Sequence, residues 1–201
     1  MASYFVEPYA FEGDADYQYF DRGGALSEEV SYSGNEHNRM FTHIGGEFVL
    51  SHFTTGTGQS LDGRSVIAAD LDRDGDQDLI LRNLKTHSFQ VLRNNLPPQN
   101  RAVIVKLRNR KPNTAAIGAR VTLTCNGHQQ LRQVTAGDSY LGQSPPELHF
   151  GLGSCQQDPS LRITWPDGQS ESVTVPANTV SVVQRAQGVV SHTPLKERSP
   201  E

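Results

Sequence analysis

The sequence ARVTLTCNGHQQLRQV, residues 119–134, decides the fold class. Every second residue over 121–125 is apolar, which is the period of a strand with one buried face. The pair Asn126-Gly127 follows, and both residues tolerate the positive φ angles of a two-residue hairpin turn. Residues 129–134 then return as a second strand. The sequence therefore predicts an antiparallel hairpin that turns one face toward a core.

Similar short runs continue on both sides of this hairpin. Each is too short for a helix and rich in β-branched residues, leucine or phenylalanine. In the run 102–107 the alternation predicts that residues 103, 105 and 107 share one face. Glycine, proline and aspartate turns separate the runs, as in the Gly45-Gly46 pair. The other runs are 41–44, 48–50, 64–69, 78–82, 89–93, 148–150, 160–165, 170–175 and 179–184. Short strands at this spacing predict an all-β fold, an antiparallel sandwich or barrel.

Composition excludes several classes of protein. The 201 residues include 22 acids against 18 lysines and arginines, for a net charge of −4. That balance has the wrong sign for a general nucleic-acid binder. No run approaches the ~18 apolar residues of a membrane-spanning helix. The 18 glycines and 11 prolines argue against a helical bundle.

The sequence predicts four segments. Residues 1–33 are polar and tyrosine-rich without a period, which is typical of an irregular N-terminal arm. A linker follows Leu96, because its two prolines fix an extended connection. The segments are the arm (1–33), a first β segment (34–96), a second β segment (101–186) and a flexible tail (187–201).

Two observations bear on the compartment. Cys125 and Cys155 are too few for a disulfide scaffold. Reduced thiols are the favoured interpretation, and a single disulfide is the alternative. Residues 1–10 have no basic start and no apolar block, so they do not form an export signal. The chain is thus expected to stay in the cytoplasm, unless it derives from a longer exported protein.

The most specific signal is the acidic stretch DLDRDGDQD, residues 70–78. Carboxylates occupy alternate positions, and Gly75 permits a sharp bend. Calcium prefers six to eight hard oxygen ligands, and alternate residues of a tight turn can aim oxygens at one centre. The predicted ligands are the side chains of Asp70, Asp72, Asp74 and Asp78 and the backbone carbonyl of Asp76. The twelfth position is Leu81 and the flanks are strand-like, so this is not an EF-hand. A solvated turn without metal remains the alternative, and magnesium fits the ligand set less well.

Candidate catalytic residues do not converge in the sequence. There is no G-x-S-x-G motif, and His149 is expected to be a hydrogen-bonded structural histidine in a strand. Asp138, Arg132 and His149 would need to surround a deep pocket for an enzyme. We therefore assign no catalytic residue.

Two further features have a structural and a functional interpretation. Arg108, Arg110 and Lys111 lie in one loop, which is either solvated or a patch for an acidic polysaccharide or phosphate. Trp165, the single tryptophan, is expected to be a core residue near Leu161 and Ile163 rather than a platform for a sugar.

Two segments resemble known families. Residues 64–95, with the DxDxDGDxDL loop and the closing LRNN, resemble one FG-GAP (VCBS) repeat, the hairpin unit of integrin-type β-propellers. Residues 102–183 resemble the ASPIC/UnbV domain. The matching motifs are AIGARV (116–121), RQVTAG (132–137), YLGQS (140–144), HFGLG (149–153) and WPDG (165–168).

The resemblance implies a partial β-propeller hairpin unit followed by an antiparallel β-sandwich. It also implies a non-enzymatic, calcium-binding protein, extracellular or periplasmic, that serves in adhesion or interaction with a protein or glycan surface. The rest of a larger propeller protein is a further expected partner. The alternative function is an accessory or catalytic subunit of a biosynthetic or carbohydrate-processing system. Only one metal loop is present, so a lone hairpin unit must be covered by the sandwich, by the N-terminal arm or by further repeats.

Overall fold

A computed structural model describes residues 37–52, 54–59, 63–83, 89–95 and 101–196. These residues form thirteen β-strands and no helix, which confirms the all-β fold class. None of them therefore forms a helix that could cross a membrane. The predicted N-terminal arm and the linker after Leu96 lie outside the described residues.

The chain divides into two compact units that are not contiguous in sequence. The first draws on residues 1–68 and 78–96, and the second on residues 69–77 and 97–201. The acidic turn thus belongs to the second unit, whereas the strands that flank it belong mostly to the first.

The first unit contains a hairpin and a small sheet. Strands β1 (Phe41–Ile44) and β2 (Glu47–Leu50) pair through a turn at Gly45-Gly46, where both φ angles are positive, as the sequence predicts. The sheet has the order β3-β4-β5. Its strands are β3 (Gly63–Ala69), β4 (Asp78–Asn83) and β5 (Phe89–Leu92).

The second unit contains two four-stranded sheets, with orders β11-β10-β7-β8 and β13-β12-β6-β9. Its strands are β6 (Arg101–Arg108), β7 (Arg120–Cys125), β8 (His128–Gln133), β9 (Glu147–Gly153), β10 (Ser160–Thr164), β11 (Ser170–Thr174), β12 (Thr179–Gln184) and β13 (Gly188–Pro194). The predicted turn joins β7 to β8, with φ of 48° at Asn126 and 75° at Gly127. The sheet with the order β11-β10-β7-β8 is called the β7 sheet below, and the sheet with the order β13-β12-β6-β9 is called the β6 sheet.

The core lies between these two sheets. Val103 and Val105 of the β6 sheet belong to one apolar cluster with Val121 and Leu123 of the β7 sheet, and all four are at most 1% exposed. Because both sheets bury one face in the same cluster, the second unit is a β-sandwich. Trp165 is a core residue, as the sequence predicts, and its indole N–H donates to Glu171 Oε1 at 2.9 Å.

One pairing in the β6 sheet differs from the predicted antiparallel arrangement, because β12 pairs with β6 in parallel. A further strand, β13, pairs antiparallel with β12 in the region where the sequence predicts a flexible tail. The side chains of β13 are mostly exposed, so its sequence shows no apolar alternation that would predict a strand. Its main-chain hydrogen bonds to β12 hold it in place.

A disulfide joins Cys125, at the end of β7, to Cys155, just after β9. The favoured interpretation of reduced thiols is therefore wrong. Both cysteines are buried in the core cluster, 30 residues apart in sequence, and the bond links the β7 sheet to the β6 sheet.

Candidate metal centre

The carboxylate of Asp70, the first aspartate of the acidic turn, accepts hydrogen bonds from the backbone of the same turn. Asp70 Oδ1 accepts a hydrogen bond from the backbone N–H of Asp74 at 3.2 Å, and Oδ2 accepts one from Gly75 at 3.0 Å. Gly75 has a φ of 97°, a conformation that other residues adopt only with strain. These bonds fold residues 70–75 into a tight loop.

Three of the predicted ligands, two from this loop and one from the start of β4, lie close together. One carboxylate oxygen each from Asp70, Asp72 and Asp78 lies within 4.8 Å of the others. Oxygens that share one calcium ion lie about 2.3–2.6 Å from it, so they can be up to about 5 Å apart. Asp70 and Asp78 are buried, and both carboxylate oxygens of Asp72 are shielded from solvent. The donor set therefore fits a hard divalent cation.

The other two predicted ligands lie outside this group of three. Asp74 Oδ1 accepts a hydrogen bond from the backbone N–H of Asp76 at 3.0 Å. Both side chains are half-buried. Their assignment as ligands stays a prediction from the sequence.

Without a cation, burial and the repulsion between like charges raise the free energy of the ionised carboxylate cluster. Burial raises the pKa of Asp70, and the neighbouring Asp74 carboxylate raises it further, against the lowering effect of backbone hydrogen bonds from Gly75, Arg73 and Asp74. Asp78 Oδ1 accepts a hydrogen bond from Asn94 N at 2.8 Å. A carboxylate oxygen has two lone-pair positions, so these bonds leave room for a metal.

An ion-pair network anchors the turn to the outer face of the β6 sheet. Arg73 Nη1 and Nη2 donate to Glu147 Oε2 and Oε1 at 2.6 and 3.0 Å, and Lys106 Nζ lies 2.7 Å from Glu147 Oε1. Burial raises the pKa of Glu147, but the hydrogen bonds and charges of Arg73 and Lys106 outweigh it, and the pKa is lowered. The Glu147 hydrogen bond raises the pKa of Arg73 in turn.

The backbone of the turn is held at two further points. His149 Nε2 lies 2.6 Å from the Gly75 carbonyl oxygen, so His149 is a hydrogen-bonded histidine in a strand, as expected. The Lys196 N–H donates to the Arg73 carbonyl oxygen at 2.7 Å. A Cβ on Gly75 would lie 3.3 Å from Leu195 Cδ1. The φ angle therefore favours glycine here, and a Cβ would in addition require the Leu195 side chain to shift by a few tenths of an ångström.

The opposite face of β6 also carries a buried residue. Val103, Val105 and Leu107 share the core face, as the sequence predicts, and Ile104 on the other face is 1% exposed. Its neighbours on the outer face, Ala102 and Lys106, lie beside Gly75 and beside the Glu147 ion pair respectively. The acidic turn thus lies over the same face of β6 as Ile104.

Sequence reasoning missed the anchoring residues Arg73, Lys106 and Glu147. Glu147 is 74 residues from Arg73, and both types of side chain are common on solvated surfaces. The only sequence signal is the position of an arginine inside an acidic turn, where a charge of the opposite sign is unexpected.

The three residues considered for catalysis make separate contacts. His149 binds the Gly75 carbonyl, Asp138 Oδ1 accepts from the Ser144 N–H at 2.8 Å, and Arg132 Nη1 donates to the Leu131 carbonyl oxygen at 3.0 Å. Each contact orders the local backbone.

Comparison with known proteins identifies the second unit. Residues 109–189 match the family described as ASPIC and UnbV. Residues 109–189 form an ASPIC and UnbV domain. The match begins directly after β6 and ends within β13, so the ASPIC and UnbV domain contains most of the sandwich. The resemblance drawn from the sequence motifs is confirmed for this segment.

The chain is also similar to three vertebrate proteins named Cartilage acidic protein 1. The Mus musculus protein is 31% identical over 162 residues, which cover 77% of this chain and 25% of that protein. The Homo sapiens protein is also 31% identical over 162 residues, which cover 77% of this chain and 24% of that protein. The Xenopus tropicalis protein is 33% identical over 149 residues, or 70% of this chain and 23% of that protein. The chain spans about a quarter of the length of these curated relatives.

Proposed function

We propose that this chain is a non-enzymatic calcium-binding interaction module. One observation carries the proposal: the carboxylates of Asp70, Asp72 and Asp78 converge within 4.8 Å in a turn whose backbone is fixed by its neighbours. The resemblance of residues 64–95 to an FG-GAP repeat supports the choice of calcium. A bound calcium would offset the mutual repulsion of these carboxylates and would hold the turn against the sheet.

We also propose that the module acts outside the cytoplasm. The buried disulfide between Cys125 and Cys155 supports this, because such bonds persist in oxidising compartments and are rare in reducing ones. The ASPIC and UnbV domain and the similarity to Cartilage acidic protein 1 agree with such a location. The partner would be a protein or glycan surface, or further propeller repeats.

The calcium proposal is tested by thermal unfolding of the full chain. A ligand that binds only the folded state stabilises it by about 2.7 kcal/mol at a hundredfold excess over its dissociation constant. For a chain of this size, that raises Tm by about 5–10 °C. We expect calcium to raise Tm, EDTA to remove the increase, and magnesium to act more weakly.

A pair of variants assigns the effect to the turn. Asp72→Asn removes one carboxylate charge from the cluster, and Glu47→Gln removes one from the exposed strand β2. The first variant should lose most of the calcium response, and the second should keep it. An identical melt of the wild-type chain in calcium and in EDTA would refute the proposal.

A further inference from the structure

A small cleft opens where two parallel strands of the β6 sheet end. Strands β6 and β12 run side by side, with Arg108 opposite Gln184, and the Arg185 N–H donates to the Arg108 carbonyl oxygen at 2.9 Å. Parallel neighbours cannot be joined by a tight turn, so the chain leaves each strand by a different route. The cleft between the two exits has a volume of about 180 Å³. It is lined by Arg108, Asn109, Arg110, Gln184, Arg185, Ala186 and Gln187.

Three arginines line this cleft, and one of them is held in place. Arg185 pairs with Asp167 through Nη2 and donates from Nη1 to Asn109 Oδ1 at 3.4 Å. Its guanidinium carbon lies 5.6 Å from the centre of the Trp165 ring. Arg185 is therefore ordered before any ligand binds, and its charge is balanced by Asp167.

The other two arginines leave a local excess of positive charge. Arg108 and Arg110 are exposed, and within the described part of the chain no carboxylate forms an ion pair with either. Because the whole chain carries a net charge of −4, these two exposed guanidinium groups beside Arg185 form a distinct positive site.

We infer that this cleft binds a single oxyanion group. Guanidinium groups match sulfate, phosphate and carboxylate oxygens with paired hydrogen bonds, and the side-chain amides of Gln184 and Gln187 supply further donors. The cleft is smaller than the ~300–1,000 Å³ of typical drug-sized ligand sites, which favours one compact group. The group can come from a free inorganic anion or from a sulfate on an acidic polysaccharide.

The sequence shows only half of this site. Arg108 and Arg110 appear together in one loop, but Arg185 is 75 or more residues away and reaches the cleft through the parallel pairing of β6 with β12. No residue of the acidic turn lines the cleft. The oxyanion site is therefore independent of the proposed calcium function.

Trp165 provides a direct readout of binding. It is the single tryptophan of the chain and it contacts Arg185, so its fluorescence reports on the cleft. The full chain is titrated with sodium sulfate, with sodium chloride at equal ionic strength as the reference. We expect a saturable change with sulfate that chloride does not produce. Binding of the polysaccharide source is measured separately with heparin, and with neutral dextran as its control.

Variants assign the binding to the cleft. Arg108→Ala with Arg110→Ala removes both exposed guanidinium groups and keeps Arg185, and we expect at least about a tenfold loss of affinity. Lysine at both positions keeps the charge but not the paired geometry, and should restore binding only in part. Arg162→Ala, which removes an exposed arginine of β10, should bind as the wild-type chain does.

The outcomes separate the two sources and decide the proposal. Binding of both sulfate and heparin means that a free anion suffices, and binding of heparin alone means that the oxyanion must be carried by a polymer. Both support the site if the double alanine variant loses the binding. Absence of binding to either probe, or equal losses in the double variant and in Arg162→Ala, would overturn it. Unchanged melting temperatures among the variants show that each is folded.

Discussion

At the scale of single residues, Arg73 attaches the acidic turn to the sandwich through Glu147. It lies among five aspartates with a φ of 65°, and this conformation directs its side chain to Glu147 on β9. A lysine could satisfy the charge but not both hydrogen bonds, because only a guanidinium forms the two parallel contacts with one carboxylate. Arg73 therefore links the candidate metal loop to the sandwich.

Replacing Glu147 tests this link. Glu147→Gln keeps the shape of the side chain but removes the charge that pairs with Arg73 and Lys106. Both partners are about one-third exposed, so solvent screening reduces the effect, and we expect a loss of about 1–2 kcal/mol. Denaturant unfolding in EDTA, followed by Trp165 fluorescence, measures it without any contribution from metal. Unchanged stability would mean that the ion pair does not hold the turn.

Glu147 also gives a pH dependence with a definite sign. Its pKa is lower in the folded chain than its ordinary value of 4.5, so its stabilising contribution is complete above that value. The contribution is lost as the pH falls through the lowered folded pKa. We expect the wild-type chain to lose more stability below about pH 4.5 than Glu147→Gln does. In Glu47→Gln, the control for removal of an exposed carboxylate, the loss should equal that of the wild-type chain.

At the scale of strands, the disulfide is the strongest single constraint on the sandwich. It closes a loop across a separation of 30 residues, and a cross-link of that length stabilises by about 3–4 kcal/mol in the chain-entropy account. Reduction should lower the denaturant midpoint accordingly. A variant with serine at both Cys125 and Cys155 should have the lower midpoint and should not respond to reductant. Two titratable thiols in the unreduced, unfolded chain would contradict the bond.

Local patterns predicted the strands well, but not their partners. The hairpin of β7 and β8 follows from its Asn-Gly turn and its apolar alternation, which act within a few residues. The parallel pairing of β6 with β12 depends on main-chain hydrogen bonds between distant segments, and β13 depends on main-chain hydrogen bonds to its neighbour β12. Main-chain hydrogen bonds leave no mark on side-chain type. For the same reason Asp70, Asp72 and Asp78 could be predicted as a group, whereas Glu147 could not.

At the scale of the whole molecule, the units do not correspond to continuous segments. Residues 69–77 belong with the sandwich although the segment around them belongs to the first unit. They lie on the outer face of β6, the face that carries Ile104. We expect a sandwich expressed without them to expose this side chain, which is 1% exposed in the full chain.

This arrangement predicts a difference between the full chain and a fragment of residues 101–201. The fragment should be less stable by at least about 1.5–3 kcal/mol, the cost of exposing one isoleucine side chain, because it also lacks Arg73 and its ion pair with Glu147. Trp165 lies in the core of the sandwich and reports unfolding in both proteins. Ile104→Thr supplies the control: it should destabilise the full chain and have little effect on the fragment. Equal effects in both would show that the turn does not cover Ile104.

The hydrogen bond between Lys196 and Arg73 has a practical consequence for protein production. Five residues follow Lys196 in the sequence, so a polyhistidine tag added after them would be tethered close to the acidic turn. Imidazole groups coordinate transition metals, so a tag in that place would bring residual nickel or zinc ions close to the carboxylates, where they would compete with calcium. For calcium titrations, the affinity tag should therefore be placed at the other terminus or be cleaved before the measurement.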